Sequence, residues 1–255
     1  MTGPSHAAPE VLFESGSAAI PRRDAVSVAV SLFNYERFIE DCLDSVRAQT
    51  HPAIELIVVD DASMRDASAE RCRTWMERHA ECFDRAVLLR HARNLGLAEA
   101  RNTAFAAART EFVFVLDADN AIYPQALARL LARATSASAE VAYSQIAFHG
   151  DRVGVGYPDV WSRERFKPGN YVDAMALVSR ATWREVGGYT HIEGGWEDFD
   201  FWCKLIEHGV SALFVPEILC RYRVHGTSML RTSTVVSTEQ IKVELTVRHP
   251  WLELI

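Results

Sequence analysis

Apolar and polar positions along the chain fall into alternating blocks that favour strands and helices in turn. Short apolar runs rich in β-branched and aromatic residues predict strands at 26–32, 54–59, 86–90, 112–116 and 141–148. Apolar residues at helical spacing, such as Phe38, Cys42 and Val46, predict helices at 35–49, 66–79, 97–108 and 123–133. This alternation predicts right-handed βαβ units, and therefore an α/β fold with a central, mostly parallel sheet covered by helices on both faces.

The pattern changes after residue 150. Residues 151–170 are rich in Gly, Pro and aromatic side chains and predict a long loop of the kind that covers substrates. A strand at 174–178, a helix at 180–186 and a helix at 197–208 follow. We divide the chain into a flexible leader (1–24), a catalytic domain (25–230, with halves of about 25–120 and 121–230) and a C-terminal tail (231–255), which could pack back, meet a partner or continue further.

Composition excludes several classes of function. The 255 residues are 49% apolar, enough for one large globular domain, and carry a formal net charge of -7, which argues against a nucleic-acid partner. No apolar stretch is long enough to span a bilayer and the start lacks a secretory signal, so we expect a cytoplasmic protein, with peripheral membrane association left open. Five widely spaced cysteines suggest neither a disulfide framework nor a zinc site.

Polar clusters follow three of the predicted strands, at 31–34, 60–63 and 117–119. In open α/β sheets, ligands bind outside the carboxyl ends of the strands. Asp117 and Asp119 are two residues apart and lie on one side of the strand end, where hard oxygen ligands suit Mg²⁺ or Mn²⁺. The alternative is a polar exit from the strand, and for Asp61 and Ser63 the alternative is capping of the next helix.

Two further segments carry candidate chemistry. Glu197 and Asp198 begin a predicted helix after a run of glycines, and a carboxylate there could act as a general base, although acidic residues are common in first turns. His225 follows a predicted strand and could complete a metal shell or be structural. Trp196 could stack on a sugar or pack in the core, and Arg101 could meet a phosphate or a carboxylate.

Taken together, these segments resemble the family-2 glycosyltransferases, which are inverting nucleotide-sugar enzymes with a metal-dependent, Rossmann-like GT-A fold. The resemblance covers residues 26–230. Five segments carry it in order: VSVAVSLFN at 26–34, ELIVVDDAS at 55–63, NLGLAEARN at 94–102, LDAD at 116–119 and GGWED at 194–198. Each segment is weak by itself, but their order is specific.

The resemblance implies a role for each matching residue. Phe33 and Asp61 would hold the nucleobase, with Ser31 beside them, although Ser31-Leu32 departs from the family's usual proline and small polar residue. Nucleotide contacts would also come from Arg101 and Asp117. The remaining roles are a metal site formed by Asp119 with Asp117 and His225, a catalytic base at Asp198 with Glu197 beside it, and an acceptor contact at Trp196.

The implied reaction moves a sugar from a nucleoside-diphosphate sugar, with a UDP-sugar favoured, to the hydroxyl of a carbohydrate or lipid-linked acceptor. Mn²⁺ or Mg²⁺ would be the cofactor, and bacterial-type polysaccharide, glycolipid or glycoconjugate synthesis the setting. One alternative is a phosphohydrolase of the haloacid dehalogenase type, which also ends a strand in Asp-x-Asp. A non-catalytic nucleotide-sugar-binding paralogue is the other.

Overall fold

The computed structural model describes residues 7–16, 22–226 and 233–255. Within these ranges the strands are β1 Glu10–Gly16, β2 Val26–Leu32, β3 Ile54–Asp60, β4 Arg85–Arg90, β5 Phe112–Asp117, β6 Ala121–Ile122, β7 Val141–Gly150, β8 Gly154–Val155, β9 Ala176–Ser179 and β10 Ala212–Val224. The helices are α1 Ile39–Arg47, α2 Ser68–His79, α3 Leu97–Ala107, α4 Ala126–Ala137, α5 Arg163–Phe166, α6 Arg180–Glu185, α7 Glu197–Glu207 and α8 Ser233–Arg248.

One mixed sheet runs through the molecule in the order β1-β4-β3-β2-β5-β9-β7-β10-β6, with β8 paired to β7. Strands β4, β3, β2 and β5 form its parallel centre. Every residue of β2 and β3 is buried, as expected for parallel strands that helices cover on both faces. Helices α1, α2 and α4 contribute to the core on one face and α3, α7 and α8 to the core on the other.

Strand β9 reverses direction within this sheet. It pairs antiparallel with both β5 and β7, and Leu177 of β9 lies opposite Phe114 of β5. The start of β9 therefore lies at the same sheet edge as the carboxyl ends of β2, β3 and β5. Residues that precede β9, including Asp173, are brought to the edge where the polar clusters lie.

The prediction of an unstructured leader over 1–24 is wrong for residues 10–16. These residues form β1, which pairs antiparallel with β4 and extends the sheet by one strand. Leu12 and Phe13 pack against the core while Val11 is exposed, so the strand is covered on one face only. Residues 1–6 and 17–21 of the predicted leader lie outside the described residues, as does the predicted boundary at 230–231.

The C-terminal tail packs back on the domain. Helix α8 and the residues after it bury Ile241, Leu245 and Leu252 in the same core as α3 and α7. The predicted loop at 151–170 is irregular except for the short elements β8 and α5. In the described part of the chain, no helix combines the length and apolar character needed to cross a membrane.

Candidate active site

Arg101 and Asp117 form the centre of the site at the carboxyl edge of the sheet. Asp117 is the last residue of β5, and Arg101 projects from α3, whose start follows β4. The guanidinium Nη2 donates to the two Asp117 oxygens at 3.0 and 3.3 Å. Arg101 is buried, and although burial alone would lower its pKa, the Asp117 charge raises it. The arginine is therefore a fixed cation within the site.

Asp119 lies beside His225, from a distant part of the chain. The Oδ2 of Asp119 is 3.0 Å from Nε2 of His225, which directly follows β10. The rings of Tyr35 and Phe38 flank the imidazole, with centroids 5.8 and 4.8 Å from it. Burial raises the pKa of Asp119, and the hydrogen bond to His225 only partly offsets this. The structure thus brings together two of the predicted metal ligands.

The residues predicted to hold the nucleobase lie at the ends of β2 and β3. Phe33 is 39% exposed, which leaves its ring accessible for stacking. Asp61 is buried and accepts hydrogen bonds from the backbone N–H groups of Leu95 and Gly96, both at 2.8 Å. The Ser31 hydroxyl is buried and has no hydrogen-bond partner in the described part of the chain. The ring of Phe33 is thus accessible to a ligand, the hydroxyl of Ser31 is unpaired but buried, and Asp61 fixes the loop before α3.

His91 was not predicted from the sequence. Its Nδ1 lies 2.7 Å from Oδ1 of Asp61, and its Nε2 lies 2.9 Å from the Thr103 hydroxyl. The imidazole therefore ties the end of β3 to α3. The polar run at 90–94, at the end of β4, was the available signal, but nothing in its spacing points to a contact with Asp61, 30 residues earlier.

Glu197 and Asp198 are the first two residues of α7, and Asp198 lies close enough to Arg101 and Asp117 for their charges to act on it. The backbone before them adopts positive φ at Gly194, Gly195 and Trp196 (94°, 118° and 68°), and this turns the helix start towards the sheet edge. Asn170 donates to Asp198 at 3.0 Å. Burial raises the pKa of Asp198 and of Glu197, while the Arg101 charge opposes the shift.

The ring of Trp196 packs against Phe199 with the centroids 6.2 Å apart and is half-buried. Packing and contact with a ligand are both compatible with this position. The predicted acceptor role of Trp196 stays a prediction.

Sequence reasoning also missed Asp173 and Tyr189. Burial raises the pKa of Asp173 to about 7, and the nearby charges of Asp117 and Asp198 add to the shift. Tyr189 stacks on Phe201 and lies under the Arg101 guanidinium, and its buried hydroxyl has no hydrogen-bond partner among the described residues. The signal for Asp173 is its position immediately before the apolar run 174–178. If that strand ran parallel to its neighbours, Asp173 would lie at the amino edge of the sheet, away from the site.

A divalent cation fits this donor set. Asp119 offers a carboxylate oxygen and His225 an imidazole nitrogen, but the described residues contain no group of three or more side chains that could hold a metal by themselves. The remaining ligands would have to come from a substrate or water, as is usual for Mg²⁺ at phosphate-binding sites. Burial raises the pKa values of Asp119, Asp173 and Asp198, and the neighbouring carboxylates add to the shift, so a bound cation would favour their charged forms.

The family model described as "Glycosyl transferase family 2" matches residues 27–181, more than half of the chain. The chain belongs to this family. The matched range includes Ser31, Phe33, Asp61, Arg101, Asp117, Asp119 and Asp173, and it ends before α7.

Individual relatives agree with the family. EpsH of Bacillus subtilis (strain 168), named as a glycosyltransferase, is 28% identical over 226 residues, which are 81% of this chain and 63% of EpsH. The O-antigen biosynthesis protein RfbC of Myxococcus xanthus is 30% identical over 212 residues, which are 81% of this chain and 16% of RfbC. The chain thus spans less than two thirds of the length of these relatives.

Solved structures show the fold. TarS of S. aureus in complex with UDP-GlcNAc superimposes with a TM-score of 0.70 at 19% identity, covering 87% of this chain and 66% of that one. The mannosyltransferase PcManGT of Pyrobaculum calidifontis, in complex with GDP-Man and Mn²⁺, gives 0.67 at 22% identity, covering 91% and 64%. The predicted GT-A fold and the predicted family are confirmed, and nothing in the comparisons supports a phosphohydrolase.

Proposed function

We propose that this family-2 glycosyltransferase moves a sugar from a nucleoside-diphosphate sugar to an acceptor hydroxyl, with inversion and with Mn²⁺ or Mg²⁺ as cofactor. The observation that carries the proposal is the convergence of Arg101, Asp117, Asp119 and Asp198 on one sheet edge, from three separate segments of the chain. Relatives that include an O-antigen biosynthesis protein support a role in polysaccharide or glycoconjugate synthesis.

The donor would lie along the carboxyl edge of the parallel strands. Phe33 would stack on the nucleobase, with the hydroxyl of Ser31 and the carboxylate of Asp61 beside it. Asp117, fixed by Arg101, would receive the ribose side of the nucleotide. Relatives of this fold bind UDP-GlcNAc and GDP-Man, which supports a sugar nucleotide with either a uridine or a guanosine base.

Asp198 would act as the general base. Its pKa is raised towards neutral pH, and a general base is most effective when its pKa lies near the working pH. Asn170 orients the carboxylate through a hydrogen bond. The acceptor oxygen would then attack the anomeric carbon on the face opposite the diphosphate, and the configuration would invert. A metal ion held by Asp119, with His225 and Asp117 nearby, would supply Lewis-acid stabilisation of the leaving diphosphate.

The substitution Asp198→Asn tests this assignment. We expect the rate of sugar transfer to fall by about 10²- to 10⁴-fold, because a general base contributes on that scale. Donor binding, measured by calorimetry with Mn²⁺, should remain within about twofold of wild type, since the base contacts the acceptor. Asp24→Asn, at an exposed ion pair with Arg22, is the matched surface control. Unchanged turnover in Asp198→Asn would sink the assignment.

The donor and the cofactor need a separate experiment. A thermal-shift screen of UDP- and GDP-sugars with and without Mn²⁺ should raise the Tm for one class, because a bound ligand stabilises the fold according to its affinity. Asp119→Ala should remove the Mn²⁺-dependent part of that shift. Normal metal-dependent affinity in Asp119→Ala would contradict the metal site, and donor binding without any transfer would identify a non-catalytic paralogue.

A further inference from the structure

The C-terminal segment is joined to α7 by a group of charges centred on the buried side chains of Asp200 and His249. The carboxylate of Asp200 is fully buried, and its Oδ1 accepts from Arg248 and lies near Nε2 of His249, both at 3.2 Å. The second imidazole nitrogen, Nδ1, lies 2.8 Å from the carboxylate of Glu207. We call Asp200, Glu207, Arg248 and His249 the C-terminal clamp.

Charge in the clamp is balanced only when His249 is protonated. Both ring nitrogens face carboxylates, and an imidazole can donate from both only as the cation. Burial by itself would lower the pKa of His249, but the hydrogen bonds to Asp200 and Glu207 outweigh it, so the pKa is raised. With the clamp's neighbours Lys204 and Glu244 included, three cations then face three anions. The cations are Lys204, Arg248 and His249, and the anions are Asp200, Glu207 and Glu244.

The same group of charges extends to both sides of Asp198. Lys204, which pairs with Asp200 at 3.0 Å, also donates to the carbonyl of Gly188 at 2.9 Å, in the loop that leads to α7. On the other side, the backbone N–H of Glu253 donates to the carbonyl of Lys167 at 2.8 Å. Lys167 directly follows α5, three residues before the Asn170 that contacts Asp198.

Helix α7 packs in the core near its start through the fully buried side chains of Phe199, Phe201 and Trp202, but its first N–H groups lack a side-chain cap among the described residues. The residue before it, Trp196, is in the left-handed region. Asp200 is the first residue of the helix with a backbone N–H bond back to Trp196, at 3.1 Å, and its side chain makes the clamp contacts. Beyond this apolar packing, the side chain of Asp200 joins the first turn of α7 to the C-terminal segment, two residues from Asp198.

We propose that the C-terminal clamp positions Asp198, so that Asp200, Arg248 and His249 are positioning residues for catalysis. This inference rests on the proposed role of Asp198 as the base. The clamp touches neither the donor pocket nor the metal ligands. Its loss therefore lowers kcat without weakening donor binding.

The variants Arg248→Gln and His249→Gln test the clamp in the full chain. Using UDP-GlcNAc or GDP-mannose with Mn²⁺, whichever turns over, kcat should fall by about 10- to 100-fold, the scale of a misplaced catalytic group, while the KM for the donor changes less than twofold. Arg248→Lys keeps the charge and should recover part of the loss. Lys242→Gln removes an exposed pair with Glu239 on the same helix and is the control.

Two readouts separate positioning from general stability. Hydrogen exchange in urea, well below the concentration that unfolds the protein, should become faster in the peptide covering 196–207 of His249→Gln. The peptide covering β2 should stay protected. The wild-type kcat should also decline as pH rises through the raised pKa of His249, above its usual 6.5, because the clamp loses a cation there. His249→Gln should lack that decline.

The outcomes distinguish the clamp from the proposed function. If both Gln variants keep the wild-type kcat and the wild-type exchange at 196–207, the clamp proposal is overturned. If donor KM rises together with the fall in kcat, the effect is general and the proposal is also overturned. If the wild type turns over no sugar nucleotide, the proposed function fails, and the exchange data alone decide whether the clamp holds the start of α7.

Discussion

The two ends of the parallel sheet both bury carboxyl groups, with opposite results. At the amino end, Glu55 of β3 accepts from Arg85 and Arg109, each at 2.9 Å, and from the hydroxyl of Ser27. Burial would raise its pKa, but these donors lower it overall. At the carboxyl end, Asp173 and Asp198 are also taken from water, and their pKa values are raised.

The number of cations decides the difference. Two arginines serve the single carboxylate of Glu55, whereas Arg101 is shared among Asp117, Asp173, Asp198 and Glu197. A buried charge is tolerated when it is paired and hydrogen-bonded, and is costly otherwise. The amino end is therefore built for stability, while the carboxyl end keeps an uncompensated negative charge that a cation and a ligand could relieve.

The comparison is tested most strongly by Glu55→Gln. We expect the free energy of unfolding to fall by about 3 kcal/mol, because the substitution removes the buried carboxylate that Arg85 and the half-buried Arg109 share. Urea unfolding at pH 7 measures the change. Glu14→Gln removes the exposed partner of the same Arg85 and should cost less than about 1 kcal/mol. Equal losses in the two variants would show that the paired carboxylate does not stabilise the amino end.

The carboxyl end should respond in the opposite direction. Without metal or donor, Asp173→Asn should stabilise the fold by about 1–3 kcal/mol at pH 8, because the wild-type carboxyl must ionise in a site that disfavours its charge. With a pKa of about 7 in the folded state and 3.8 as its model value, the wild type loses stability as pH rises between these values. The gain of the variant should therefore grow from pH 4 to pH 7 and then level off.

Thermal or urea unfolding at several pH values checks the Asp173 prediction, and Asp159→Asn is a control at a more exposed ion pair with Arg165. If Asp173→Asn destabilises the fold at pH 8, the carboxylate is compensated in a way that the comparison of the two ends does not allow. A stability difference that does not depend on pH would also contradict the raised pKa.

The parallel centre of the fold could be predicted from sequence because its strands are buried on both faces. The apolar runs at 26–32 and 112–116 coincide with β2 and β5, apart from Asp117, which the structure adds to β5. Strand β1 could not be predicted in this way, since an edge strand covered on one face needs few apolar residues. Its charged and small residues read as a leader.

Site residues could be predicted from the sequence where they lie at the end of an apolar strand, and not elsewhere. Asp117 ends β5 and Asp119 lies two residues beyond it, and their contacts with Arg101 and His225 span 16 and 106 residues, which the spacing could not show. To place Asp173 in the site, one must know that β9 runs antiparallel to its neighbours in the sheet. Pairing partners of an isolated strand depend on contacts remote in sequence, so local pattern carried no signal for it.

The smallest expected effect compares two serines on one strand. Ser27 and Ser31 lie four residues apart on β2 and share a face, but Ser27 bonds to Glu55 and Thr110, whereas the Ser31 hydroxyl has no partner among the described residues. We expect Ser27→Ala to cost about 1–2 kcal/mol in urea unfolding and Ser31→Ala to change stability by less than about 0.5 kcal/mol, since removing an unpaired hydroxyl breaks no bond. On the proposed role of Ser31 beside the nucleobase, Ser31→Ala should instead weaken donor binding by about 2- to 10-fold in calorimetry. If both variants lower the free energy of unfolding equally, the serine at the amino end stabilises the fold no more than the serine at the carboxyl end, and the comparison fails for these two residues.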